Sequence, residues 1–151
     1  MARRVAYVTS SWVGPVGWDG VLSCRVVRED AGVALTVGTD LVHVPRLARS
    51  LARPSFVDRV FTPAEQTYCH ARPDRFAGRW AAKEAVMKAL GHGIGEVGMT
   101  EIEIVSGRSG APELRLHGSA AEVARQAGWN EWAISISHQG EYAVATAIGQ
   151  S

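Results

Sequence analysis

Trp80-Ala81-Ala82-Lys83-Glu84-Ala85-Val86-Met87-Lys88 is the stretch on which the reading of this chain turns. It sits inside a longer helical pattern. Asp74 can cap the start, the helix runs to about Leu90, and Gly91 supplies a left-handed stop. At 100° per residue, Phe76, Trp80, Met87 and Leu90 fall within one apolar stripe about 80° wide. Lys83 falls inside that stripe, and Glu84 and Lys88 line its edge. A charge there is costly unless it is paired or bound to something. Two readings follow. In one, Glu84 and Lys88 form an ordinary i,i+4 pair worth a few tenths of a kcal/mol, and Lys83 snorkels to water. In the other, the charges meet an anion or a metal ion.

Upstream, Val33 to Val42 reads as a mostly buried strand whose only charge is Asp40. A carboxylate there needs a cation or several donors. Asp40 with Glu84 can hold Mg²⁺, which takes one or two protein carboxylates, waters and phosphate oxygens. The alternative is that Asp40 caps the turn that follows. Pro45 opens a short helix through about Leu51. Thr62-Pro63-Ala64-Glu65 is a capping box with proline at the first helical position.

Downstream, Gly91-His92-Gly93-Ile94-Gly95 closes a helix instead of following a strand, so it is no dinucleotide loop. It reads as a helix stop that lets backbone approach a ligand. Met99 to Val105 and Glu113 to His117 suggest a hairpin about a turn at Gly107-Arg108-Ser109-Gly110. Ser119 with Glu122 opens a short helix closed by Gly128. Trp132, Ile134 and Ile136 alternate along a strand, and His138-Gln139-Gly140 turns into a last strand, Tyr142 to Ile148. Ser135 and His138 could form a nucleophile pair, but a histidine donating to a phosphate suits the strand geometry better. The fold class is α+β, a small antiparallel sheet packed on one long helix and shorter helices.

Residues 1–32 stand apart as an N-terminal extension to a domain of residues 33–151. Val5 to Thr9 and Val21 to Val27 read as a hairpin about the turn-rich Gly14 to Gly20, which would bury Trp12, Val13, Val16, Trp18, Val21 and Leu22.

The whole chain of 151 residues is 46% apolar and 21% charged, a globular composition. Its net charge of +1 does not suggest a nucleic-acid partner. Seven arginines against three acids between Arg46 and Arg79 form a basic segment, either a solvated helix face or a surface for an acidic partner. Cys24 and Cys69 have no metal or redox spacing, which fits a reduced cytoplasmic setting. No apolar run reaches the roughly 20 residues that span a bilayer, and Thr9, Ser10 and Ser11 interrupt any signal-peptide core.

Taken in order, these pieces resemble the holo-acyl-carrier-protein synthase group of phosphopantetheinyl transferases. Gly38-Thr39-Asp40 is similar to the family's G-[IT]-D strand, and Trp80 to Lys88 to its W-x-x-K-E-A-x-x-K helix. Gly110-Ala111-Pro112 resembles its G-K-P turn, Ser135 to His138 its final S-x-S-H, and Phe61 to Glu65 its F-T-x-x-E. The likeness covers about Val37 to Ile148.

The resemblance implies transfer of phosphopantetheine from coenzyme A to a serine of an acidic acyl or peptidyl carrier protein. Asp40 and Glu84 would hold Mg²⁺, with Glu84, Lys88 and Asp40 as the catalytic set. Lys83, Lys88, Gly91, Pro112 and His138 would contact coenzyme A. Arg46 and Arg49 would meet the carrier. The family's short form is a homotrimer with interfacial sites, which implies a trimer here, with Asp40 and Glu84 drawn from different chains. Three positions depart from the pattern: His43 for an acid, Ala111 for lysine and Gln139 for aspartate. They keep open an alternative, a catalytically weakened module that binds coenzyme A or the carrier.

Overall fold

A computed structural model describes residues 6–12, 21–27, 33–93 and 95–151. Seven strands and five helices follow one another: β1 (Ala6–Trp12), β2 (Val21–Val27), β3 (Ala34–His43), α1 (Val44–Leu51), α2 (Pro54–Val60), α3 (Pro63–Cys69), α4 (Pro73–Leu90), β4 (Ile102–Ser106), β5 (Pro112–Leu116), α5 (Gly118–Ala127), β6 (Glu131–Gln139) and β7 (Tyr142–Gln150). The main sheet has the order β1-β2-β3-β7-β6, antiparallel throughout, and β4 with β5 forms a separate hairpin. The expected α+β class is what is found.

The expected N-terminal hairpin forms, and it joins the main sheet, with β2 pairing to β3 from Val27↔Ala34 to Cys24↔Val37. Its joining turn, and the burial of Trp12, Val13, Val16, Trp18, Val21 and Leu22, lie outside the described residues.

Helix α4 lies across β3 and β7 and is walled on its other sides by α1, α3, β4 and β6. Thirteen of its 18 residues are buried, so the single apolar stripe is a poor description: this helix is a core element. Small residues let it sit close. The inward positions of β7 are Ala143, Ala145, Ala147 and Gly149, and those of β3 include Ala34, Thr36 and Gly38. A Cβ on Gly38 would lie 2.0 Å from the Ala85 carbonyl oxygen and 2.7 Å from the Ala89 nitrogen. Thr36 donates its hydroxyl to the Ala89 carbonyl at 2.6 Å, pinning strand to helix.

Local signals account for most helix ends. Thr62 caps α3 in a complete capping box with Glu65. Gly91 ends α4 at φ 76°, and Gly128 ends α5 at φ 81°. Two expected caps are corrected. Arg72, not Asp74, is the N-cap of α4; Asp74 lies in the first turn, its carboxylate paired with Arg72 at 2.7 Å. His117, not Ser119, precedes α5, and the Ser119 hydroxyl donates instead to the Glu101 carboxylate. The strand expected from Met99 opens as a 3₁₀ turn, Met99–Glu101. Helix α2 had no sequence expectation; Pro54 at its first position marks it in hindsight.

The sheet face away from α4 leaves Leu41 62%, Tyr142 48% and Ile148 41% exposed. Among the described residues no helix is long and apolar enough to cross a membrane.

Gly38→Ala should destabilise the fold by about 1–3 kcal/mol or more, because backbone, not a movable side chain, fills the space. Denaturant unfolding checks this; an unchanged midpoint would mean that α4 and β3 are not so closely packed.

Candidate active site

Lys83 and Glu84 are neighbours on α4 with opposite circumstances. Lys83 is wholly buried, its Nζ 2.7 Å from Glu65 Oε2. It also donates to the carbonyls of Met99 at 2.8 Å and Ile102 at 2.6 Å. Glu65 is equally committed, accepting from the Thr62 and Ile104 amides as well. Burial pulls the Lys83 pKa below the ordinary lysine range, and the Glu65 carboxylate opposes that pull. The ammonium has three hydrogens and three acceptors. It neither snorkels nor faces a ligand, which corrects its expected contact with coenzyme A.

Glu84 is 6% exposed, and its Oε1 is buried without a hydrogen-bond partner. Its carboxyl is pushed up to about 7, first by burial and then by the charge of Asp40, with Lys88 opposing. Lys88, one turn further, reaches Asp40 Oδ1 at 2.9 Å and the Thr39 carbonyl at 3.0 Å. Asp40, Glu84 and Lys88 therefore come together within one chain. The notion that the two carboxylates belong to different subunits is corrected.

A buried carboxylate oxygen with no donor, beside a second carboxylate, fits a divalent cation. Among the described residues no group of three or more His, Cys, Asp or Glu could hold an ion. A cation here would therefore complete its shell with water or substrate oxygens, the manner of Mg²⁺ on phosphates. A groove of about 340 Å³ opens beside Asp40, lined among others by His43, Arg46, Leu47, Phe56 and Trp80. Trp80 stacks on Phe56 with centroids 5.4 Å apart. Arg46 and Arg49 are both exposed on α1.

His138 and Pro112 belong to the other end of α4. His138 Nε2 lies 2.9 Å from the Asp74 carbonyl. Asp74 and Glu84 are ten residues apart, about 15 Å of helix. Pro112 pairs with Ser106, whose hydroxyl meets Arg79 at 3.2 Å. Arg79 is 6% exposed, lies 4.2 Å over the Tyr68 ring, and leaves its Nε unpartnered. Gly91 is the helix stop, with open space where a side chain would be. Ser135 and His138 form no pair; Ser135 stands on the outer sheet face opposite Thr146. Burial pushes the Cys69 thiol up to about 12, so it is no nucleophile.

Sequence reading missed Glu65 as the partner of Lys83 and missed the Phe56 side of the groove. The first carried a signal, since a buried lysine requires an acid and Glu65 was already placed in a capping box. The second carried none.

A profile for the 4′-phosphopantetheinyl transferase superfamily matches residues 36–147. The chain is 50% identical over 116 residues to the holo-[acyl-carrier-protein] synthase of Gloeobacter violaceus, covering 73% of this chain and 88% of that one. It superposes with a TM-score of 0.70 on the apo-ACPS structure from Chronobacterium ammoniagenes, at 40% identity over 78% of this chain and 97% of that one. The ACPS–CoA complex from that organism superposes with a TM-score of 0.67, at 37% identity over 76% and 96% of the two chains. The chain belongs to the 4′-phosphopantetheinyl transferase superfamily and, within it, to the holo-[acyl-carrier-protein] synthase type.

The raised Glu84 pKa has a stability consequence. Its folded value, about 7, is above the unfolded 4.5. Between the two the fold keeps a proton that the unfolded chain has lost, so stability falls as pH rises, and the cost is complete above about pH 7. In chelator at pH 8, Glu84→Gln should melt above the wild type, by up to about 3 kcal/mol, with the gap closing toward pH 4.5. A variant no more stable at pH 8 would mean Glu84 is not desolvated.

Proposed function

We propose that this protein transfers 4′-phosphopantetheine from coenzyme A to a serine of an acyl or peptidyl carrier protein, releasing adenosine 3′,5′-bisphosphate. The observation that carries the reading is the orphaned, buried Glu84 carboxylate beside Asp40 and Lys88, in a chain of this family. The relatives support the substrates: one is named for its carrier protein and another is a complex with CoA.

Asp40 and Glu84 are the residues that would hold Mg²⁺. Bound there, the ion supplies charge neutralisation on the pyrophosphate oxygens. Glu84, directly or through a water, takes the proton of the carrier serine. The serine oxygen then attacks the phosphorus that bears pantetheine, and the phosphoanhydride bond to the nucleotide breaks. Lys88 offers its ammonium to the phosphate as a point charge. His138 and Pro112 take the nucleotide end, and Gly91 closes the loop beyond Lys88. Arg46, which lines the groove, and Arg49, exposed on the same helix, meet the acidic helix of the carrier.

The exposed apolar residues Leu41, Tyr142 and Ile148 support an interface with another chain, and the family resemblance makes that assembly a homotrimer. Residues 1–32 are read as an extension added to this unit, and a cytoplasmic setting suits its substrates. The alternative of a weakened binding module draws on His43, Ala111 and Gln139. None of these removes a member of the Asp40–Glu84–Lys88 group, so transfer is preferred.

Intact mass of an apo-carrier, incubated with enzyme, coenzyme A and Mg²⁺, should rise by one phosphopantetheine. Glu84→Gln should lower that rate at least about 100-fold with the fold retained. No mass gain across a panel of acidic carriers would overturn the reading, and near-normal Glu84→Gln activity would remove Glu84 from its role.

A further inference from the structure

Gly78 sits in the second turn of α4, where glycine is a poorer helix former than alanine. The helix is otherwise rich in alanine: Ala77, Ala81, Ala82, Ala85 and Ala89 surround the position. Its φ is not in the left-handed region, so the backbone does not demand glycine. Space does. A Cβ at residue 78 would lie 2.6 Å from His138 Nε2 and 2.9 Å from His138 Cε1, with Ile136 Cγ2 next at 3.0 Å. The imidazole occupies the volume that any side chain at 78 would need.

The same imidazole is held by its other contact with α4. Its Nε2 is 2.9 Å from the Asp74 carbonyl, one turn before Gly78. A carbonyl only accepts, so Nε2 carries the hydrogen. That commits Nε2–H to the carbonyl and leaves Nδ1 as the nitrogen for a ligand, which donates to a phosphate when the ring carries a hydrogen there as well. The ring cannot keep this bond if it is pushed off Gly78, because both contacts involve the same atom.

We infer that Gly78 is a positioning residue for coenzyme A binding: its missing side chain is the seat that holds His138 on the first turns of α4, with Nδ1 turned to the nucleotide end. The inference rests on the assignment of His138 to that end under the proposed function. It adds a residue that touches no substrate and acts only through the imidazole.

The test is a cycle of Gly78→Ala, His138→Ala and the double variant, read by KM for coenzyme A and by kcat. Loss of one hydrogen bond to a charged group corresponds to roughly tenfold or more in affinity. His138→Ala should therefore raise KM about tenfold, and Gly78→Ala should approach the same value. The double variant should be no worse than His138→Ala, because the seat has no occupant to lose. Thermal melts keep the inference testable if Gly78→Ala alone folds poorly. In the His138→Ala background, adding Gly78→Ala should raise Tm, since the helix gains alanine and meets no ring. In the coenzyme-free protein, nitrogen chemical shifts of His138 should show the hydrogen held on Nε2 in the wild type and that preference lost in Gly78→Ala.

Separable results would overturn it. If His138→Ala leaves KM unchanged, the assignment of His138 itself fails and the seat has no functional purpose. If His138→Ala raises KM but Gly78→Ala does not, the assignment stands and the positioning role falls. Additive effects in the double variant, or equal loss of Tm from Gly78→Ala in both backgrounds, would make packing against Ile136 the only reason for glycine.

Discussion

The Lys83–Glu65 ion pair lies at zero exposure for both side chains, and it joins three parts of the fold. Glu65 reaches it from the capping box of α3, Lys83 from the middle of α4, and the Met99 and Ile102 carbonyls from the start of β4. Taking two charges out of water is expensive, and only complete satisfaction makes it tolerable. Here every hydrogen of the ammonium has an acceptor. Removing one partner would strand the other, a loss of about 3–5 kcal/mol. The pair therefore fixes how α4 is rotated about its own axis. With Lys83 committed to the α3 and β4 side, the next residue turns by about 100° toward β3. That residue is Glu84, and β3 presents Asp40.

Two adjacent charges on one helix thus serve opposite ends. One is satisfied and structural. The other is buried, lacks a donor on Oε1, and is pushed toward neutrality by burial and by Asp40. An unsatisfied buried carboxylate is a cost that a fold retains for a ligand. Helix α4 also sets the length of the site. Glu84 and Lys88 lie toward one end and Asp74 at the other, some 15 Å from Glu84, with Gly78 and Arg79 between them. A coenzyme with a pyrophosphate and a nucleotide is an extended molecule, and the helix offers contacts spaced along it.

Much of this was legible from residues alone. Asp40 in an apolar strand, the glycine stop at Gly91 and the Thr62–Glu65 capping box each carry a local chemical reason, and each is found. The α4 segment was legible as a helix with misplaced charges. What those charges do was not, because periodicity places a residue on a face but cannot say which element covers it. Lys83 looked like a ligand contact because its partner lies 18 positions earlier in a different helix. Asp74 and Ser119 looked like caps because their side chains can cap, but Arg72 and Glu101 captured them first. Helix α2 is short: Pro54 marks its start, but the packing of Phe56 on Trp80 that holds it is announced by no local pattern.

Proton release on metal binding tests the central claim most directly. A Glu84 carboxyl near 7 is largely protonated at pH 6.5, and a cation must displace that proton. Titrating Mg²⁺ into the enzyme with coenzyme A, in buffers of differing ionisation enthalpy, counts the protons released. The wild type should release a substantial fraction of one proton more than Glu84→Gln, and the difference should vanish by pH 8.5. Equal release from both proteins, or none, would contradict a site in which Glu84 and Asp40 share the ion.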